Sequence, residues 1–179
     1  MARTMKGAAI ASFLLTVLFS VLHRLGCSWA LPCAITFGTC FYHFAMRLLV
    51  GYLLNEKMQN RANYGKPRYQ LHPLEVKLYK RLKVKQWKGR MPTYDPKAFD
   101  PKYHTWDEIA QATCQAETVH EVIILLSFLP LLAAIPFGSF GVFLLTSLAA
   151  ALYDLTFVIM QRYNRPRIIR LIEKERTVK

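Results

Sequence analysis

Two side chains able to move a proton, Glu117 and His120, stand three residues apart. On a helix that spacing puts both on one face. A carboxylate beside an imidazole fixes its tautomer and raises its basicity, which a general base for deprotonating a hydroxyl needs. The plainer alternative is an interfacial Glu and His solvated by lipid head groups. A second group lies farther on, in Gln161-Arg162-Tyr163-Asn164-Arg165-Pro166-Arg167. The forks of Arg162, Arg165 and Arg167 suit bidentate binding of phosphate or carboxylate, and Gln161 or Asn164 could donate to an oxyanion. A basic anchor at the end of a membrane helix accounts for the arginines but not for the two amides.

Four apolar blocks must position these residues: about 7–22, 30–54, 119–137 and 142–160. Each reaches or approaches the ~20 residues of a helical span. The first follows a short basic start (Arg3, Lys6) and resembles a signal peptide, but no small-x-small site follows it, so an uncleaved first span is expected. Pro136-Phe137-Gly138-Ser139 joins the last two blocks in a short turn, which makes them antiparallel neighbours and sets Glu117 and His120 opposite 161–167. Arg47 lies seven residues from the end of the second span and Asp154 seven from Gln161, roughly 10–12 Å deep at 1.5 Å per residue. Charges at that depth are expected to face the bundle and pair, with His43, one turn from Arg47, in the same polar lining.

Charge sets the expected orientation. Thirteen Lys and Arg lie between Asn55 and Thr105 and seven after Gln161, while the other two connections hold only Arg24. Basic excess marks the cytoplasmic side, so both termini and the 55–105 segment are expected inside a bacterial cell membrane. Within that segment Leu74, Leu78 and Leu82 recur every four residues among lysines, behind Pro73. This is the pattern of an amphipathic helix lying in the interface, with Trp87 as its anchor. Thr105-x-x-Glu108 reads as a capping box that opens a long helix running into the third span. The fold class is therefore all-α: a polytopic integral membrane protein of about four transmembrane helices plus a cytoplasmic interfacial helix, forming one membrane domain over 1–179 with a basic tail from 161.

The bulk numbers agree. The chain has 179 residues, 53% of them hydrophobic, with 24 Lys+Arg against 11 Asp+Glu. Nucleic-acid binding would need a folded basic surface, whereas here the apolar residues fall in long uninterrupted blocks. Cys27, Cys33, Cys40 and Cys114 show no paired CxxC spacing and read as small buried hydrophobes, so no metal site is expected.

From about Glu75 to Leu171 the chain resembles the glycosyl-4,4'-diaponeurosporenoate acyltransferase family, small bacterial membrane proteins named for an enzyme that acylates a glucosyl carotenoid in staphyloxanthin synthesis. The matching residues are Glu75, Tyr79, Trp87-Lys88, Pro92, Cys114-x-Ala116-Glu117-x-x-His120 and Gln161–Arg167. The chain departs from the family pattern at Ala112, Gln115 and Glu121, and has Asp154-Leu155-Thr156 where the pattern has Asn-Leu-Pro. The resemblance implies transfer of a fatty acyl group to a hydroxyl of a lipid or glycolipid acceptor, with acyl-CoA as co-substrate and no further cofactor. On that reading His120 is the base oriented by Glu117, the arginines hold donor phosphates, and Trp87 and Lys88 join Arg47 and His43 among the substrate-binding positions. Neither a Ser elbow nor an HxxxxD motif is present, so direct transfer is expected. An intramembrane Glu/His hydrolase or protease and a non-catalytic membrane subunit remain as alternatives.

Overall fold

The computed structural model describes residues 2–178, and among these there are helices and no strands. Helix α1 (Ala2–Arg24) and α2 (Ala30–Met58) form an antiparallel pair. Their turn uses Gly26 at φ +101°, a backbone state that only glycine adopts readily. Aromatic contacts hold the pair together, with Phe13 against Phe41 at 5.2 Å and Phe19 stacked on Phe37 at 5.5 Å. The outer side of α1 leaves Ile10, Phe13, Leu14, Leu18 and Val21 exposed, as a helix facing lipid must.

The central segment then crosses the end of the bundle. It contains α3 (Pro73–Arg81) and α4 (Val84–Trp87), separated by Lys83 in the left-handed region. A capping box starts α3: the His72 ring accepts from Leu74 N–H, and the Glu75 carboxylate accepts from His72 N–H at 2.7 Å. Leu74, Leu78 and Leu82 are exposed as the amphipathic pattern requires, while Tyr79 is buried against the protein. Trp87 is tied back by its indole N–H to the Leu82 carbonyl at 3.1 Å.

Helix α5 (Trp106–Leu126) opens on the expected Thr105/Glu108 capping box. A 3-10 turn (Leu129–Ala133), the short α6 (Ala134–Phe137) and a turn at Gly138 and Ser139, both at positive φ, lead into α7 (Phe140–Val178). Four segments are long and apolar enough to cross a membrane: Arg3–Arg24, Ala30–Met58, Trp106–Phe137 and Phe140–Thr177. The basic segment after Gln161 is no separate tail: α7 is a single helix of 39 residues with Pro166 inside it. Proline costs a helix one N–H, and here the helix continues because Arg162 and Arg165, in the turn before Pro166, are tied to neighbouring elements, as described below.

The third span, expected as one continuous helix, breaks at Ser127–Phe128. The cause is Pro130, which has no N–H to give the Leu126 carbonyl four residues back. Tyr42 of α2 supplies the missing donor, its hydroxyl bonding Leu126 O at 2.7 Å. The same contact locks α2 to α5, where Met46, Val50 and Ile123 form a buried cluster flanked by Tyr42, Val119, Val122 and Leu126. Tyr42→Phe should therefore lower the melting temperature in detergent, at a cost of about 1–3 kcal/mol for the buried carbonyl left unpaired. Pro130→Ala restores a backbone donor, so the double variant should lose less than Tyr42→Phe alone. Equal losses in the two would show that Leu126 O does not depend on the tyrosine.

Candidate active site

Where α5 and α7 run side by side, two charged layers lie one above the other. The upper layer centres on Glu117, which has no exposed surface. Its Oε1 accepts from Arg162 Nη1 at 2.7 Å and its Oε2 from Arg165 Nη2 at 2.5 Å. Arg165, 1% exposed, also donates from Nε to Thr113 Oγ1 at 3.0 Å and from Nη1 to the Tyr69 carbonyl at 2.8 Å. Arg162 has committed all five of its N–H groups. Beyond Glu117, it bonds both oxygens of Glu75 at 2.7 Å and the carbonyls of Arg68 and Gln70 at 2.9 Å.

This layer corrects two expectations. Glu117 does not orient His120; it is held between two guanidinium groups, the stronger partners for a carboxylate in a dry site. Nor are Arg162 and Arg165 free to receive a phosphate. A buried guanidinium must find acceptors within the protein, and these two have found carboxylates, carbonyls and a hydroxyl.

The lower layer lies about 4.5 Å farther along α5, three residues at 1.5 Å each. There His120 Nδ1 meets Asp154 Oδ1 at 2.9 Å. The other carboxylate oxygen, Oδ2, pairs with Arg47 Nη2 from α2. The expected Arg47–Asp154 ion pair is thus present, and the imidazole extends it. His120 lies flat on Phe157, the rings 4.5 Å apart and inclined by 6°, and 22% of its side chain stays accessible. With the Asp154 carboxylate accepting the Nδ1 proton, Nε2 carries the lone pair. Arg47 also donates from Nη1 to the His43 carbonyl at 3.0 Å, while both ring nitrogens of His43 are buried and unbonded.

The remaining expected residues are spread around these layers. Gln161 is buried on α7. Lys88 Nζ bonds Asn164 Oδ1, so that amide oxygen is occupied. Arg167 lies over the Tyr163 ring at 4.7 Å. Trp87 Nε1 donates to the Leu82 carbonyl, as noted above.

Outside the spans, Glu75 and Tyr79 titrate well away from their ordinary values. Burial pushes the Glu75 carboxyl up, but hydrogen bonds from Arg162 and the His72 backbone outweigh it and hold it at about 2. Burial, reinforced by the Glu75 charge, pushes the Tyr79 phenol up to about 12, and its hydroxyl donates to Glu75 Oε1 at 3.0 Å.

Sequence reasoning missed the His120–Asp154 contact, although the signal was available. On antiparallel neighbours, moving inward along α5 from Glu117 to His120 moves back along α7 from Arg162 in the direction of Asp154, eight residues away. It also missed that Glu75, Tyr69 and Thr113 serve Arg162 and Arg165. Those partners come from loops and helix faces whose approach no periodicity encodes.

The sequence pattern of the glycosyl-4,4'-diaponeurosporenoate acyltransferases matches residues 61–174. The chain belongs to this acyltransferase family. The matched stretch holds Glu75, Glu117, His120, Asp154 and the 161–167 block, but it begins after His43 and Arg47. No curated protein and no solved structure matches the chain.

Two measurements test this geometry. Replacing one member of the Arg47–Asp154 pair leaves a charge alone at depth, which costs about 3–5 kcal/mol. Arg47→Leu and Asp154→Leu should each lower thermal stability in detergent, and the double variant should lose less than the two added; strict additivity would show no contact. For Glu75, the stabilisation from its lowered carboxyl is complete above the ordinary value of 4.5 and drains away as pH falls toward about 2. The wild-type melting temperature should fall across that window. Glu75→Gln, uncharged throughout, should start lower at neutral pH and fall less steeply; a curve parallel to the wild type's would remove Glu75 as the cause.

Proposed function

We propose that this protein moves a fatty acyl group from an acyl thioester, acyl-CoA in its simplest form, to a hydroxyl of a lipid or glycolipid dissolved in the membrane. The observation that carries the reading is the 2.9 Å contact between His120 Nδ1 and Asp154 Oδ1, in a span-forming pair of helices and in a family of acyltransferases. It leaves Nε2 as a base on an imidazole whose tautomer and tilt are fixed by Asp154 and by the Phe157 ring.

The reaction needs one proton to travel out and back. His120 Nε2 takes the proton of the acceptor hydroxyl as its oxygen adds to the thioester carbonyl. The imidazolium formed sits against the Asp154 carboxylate, which stabilises it electrostatically. Collapse of the tetrahedral intermediate breaks the C–S bond, and the imidazolium returns the proton to the departing thiolate. The unbonded nitrogens of His43 support a place for this residue beside the reacting carbonyl or hydroxyl, because a buried imidazole gains a hydrogen bond only when substrate arrives. In this reading Arg47 positions Asp154, and Glu117 is structural. The basic 55–105 segment supports a cytoplasmic location for the upper layer and for both termini, since Lys and Arg accumulate on that side. That location gives access to a soluble donor.

The test is acyl transfer from acyl-CoA into a glycolipid-containing membrane extract. General-base catalysis contributes about 10²–10⁴-fold, so His120→Ala should lose that much turnover with its melting temperature kept. Asp154→Asn retains an acceptor for Nδ1–H but removes the charge facing the imidazolium, so its loss should be smaller. Near-normal transfer by His120→Ala would remove the imidazole as base. Release of free fatty acid at the same rate with and without acceptor would make the protein a hydrolase instead.

A further inference from the structure

The charges of the upper layer balance: Glu75 and Glu117 face Arg162 and Arg165. One turn away the balance fails. Lys88, at the junction of α4 with the following turn, places its Nζ 5.2 Å from the centre of the Tyr163 ring, and Arg167 places its guanidinium 4.7 Å from the same ring. Arg167 Nη2 donates to Tyr163 Oη at 2.9 Å, and Lys88 Nζ donates to the neutral amide oxygen of Asn164. Among the described residues neither cation forms a salt bridge with a carboxylate. Two like charges thus share one aromatic ring without a counter-ion. The strain is visible on Lys88, whose ammonium is shifted down by burial and then by repulsion from Arg167.

Such a pair gains most from an anionic, oxygen-rich group that accepts from both cations at once. We infer that Lys88, Tyr163, Asn164 and Arg167 form a phosphate-binding subsite, taking the phosphate of the acyl donor or of a phospholipid head group. The fold supports the assignment by distance as well as charge. Asn164 and Arg167 lie ten and thirteen residues along α7 from Asp154, about 15–20 Å at 1.5 Å per residue. A flexible pantetheine arm covers such a gap between a thioester carbonyl and its phosphates. Arg162 and Arg165, expected from the sequence to hold the donor, build the floor on which this site stands. The donor form of the inference rests on the proposed acyl transfer; the phosphate site itself does not.

The experiment reads binding apart from turnover. Purified protein in uncharged detergent is titrated with coenzyme A and with pantetheine, which has no phosphate, and its retention of phosphatidylglycerol is followed by native mass spectrometry. One lost charge-assisted hydrogen bond weakens binding about ten- to hundredfold. Arg167→Gln and Lys88→Gln should weaken coenzyme A by that factor and leave pantetheine unchanged, while Arg167→Lys loses less. Rising salt should weaken the wild type toward the variants. If the variants lose phosphatidylglycerol instead and coenzyme A is unaffected, the phosphate belongs to a lipid and the site stands. If folded variants, checked by melting temperature, bind coenzyme A and retain phosphatidylglycerol as the wild type does, the site is refuted, whatever the turnover. Intact binding through these residues with no acyl transfer by the wild type would instead refute the proposed function alone.

Discussion

The buried carboxylate of Glu117 is the constraint on which the rest of this structure depends. A charge with no exposed surface is tolerable only when fully paired, and Glu117 is paired twice, with Arg162 and Arg165. Those bonds fix the register of α5 against α7. Through Arg162 they reach Glu75 and the carbonyls of Arg68 and Gln70; through Arg165 they reach Tyr69. A segment rich in lysine is thereby fastened over the end of a membrane bundle by hydrogen bonds as well as by the buried side chains of Tyr69, Tyr79 and Val84. Pro166 directly follows the second of these arginines, and its missing backbone bond is tolerated because Arg162 and Arg165 hold the preceding turn in place.

With the register fixed at Glu117, the depth of His120 follows. Three residues below, its ring comes level with Asp154, and one carboxylate then serves two helices, Oδ1 for the imidazole and Oδ2 for Arg47. Arg47 lies on α2, outside the stretch that matches the family. Arg47 gives a physical reason why Asp rather than Asn can stand at position 154. Asn can accept the Nδ1 proton without a counter-charge, whereas Asp at this depth needs a cation beside it. A charged partner strengthens the hold on the imidazole, and α2 supplies the cation that makes it affordable.

Much of the architecture was legible because membrane spans are written in length and apolarity, and helix starts in local chemistry. The four spans, the Thr105/Glu108 cap and the amphipathic α3 follow from spacing alone. The Arg47–Asp154 pair was legible for a related reason: charges in the apolar middle of a span have few places to go. What spacing could not give was the partner of each polar residue at the interface. Glu117 and His120 share a helix face, and proximity along the helix favoured pairing them. The competition was decided by charge, since two guanidinium groups from α7 outbid one imidazole. Pro130 hid a helix break of the same kind, because its consequence depends on a hydroxyl from Tyr42, far away in sequence.

Under the proposed function, structure and chemistry are divided between the two layers. Charges in the upper layer cancel internally, with Arg162 fully committed and Arg165 buried against Glu117, so that layer serves as a cap. Below it, His120 keeps one nitrogen unbonded and part of its ring accessible, in surroundings formed by Phe157, Asp154 and the span helices. Beside it, Lys88 and Arg167 keep positive charge uncancelled. A base is useful only where its lone pair is free, and a cation binds anions only where no carboxylate has claimed it. By those two criteria the residues open to substrate are the ones the fold has not used to hold itself together. Arg162 and Arg165 fail that test, while Arg167 of the same block, together with Lys88 and the imidazole of His120, meets it.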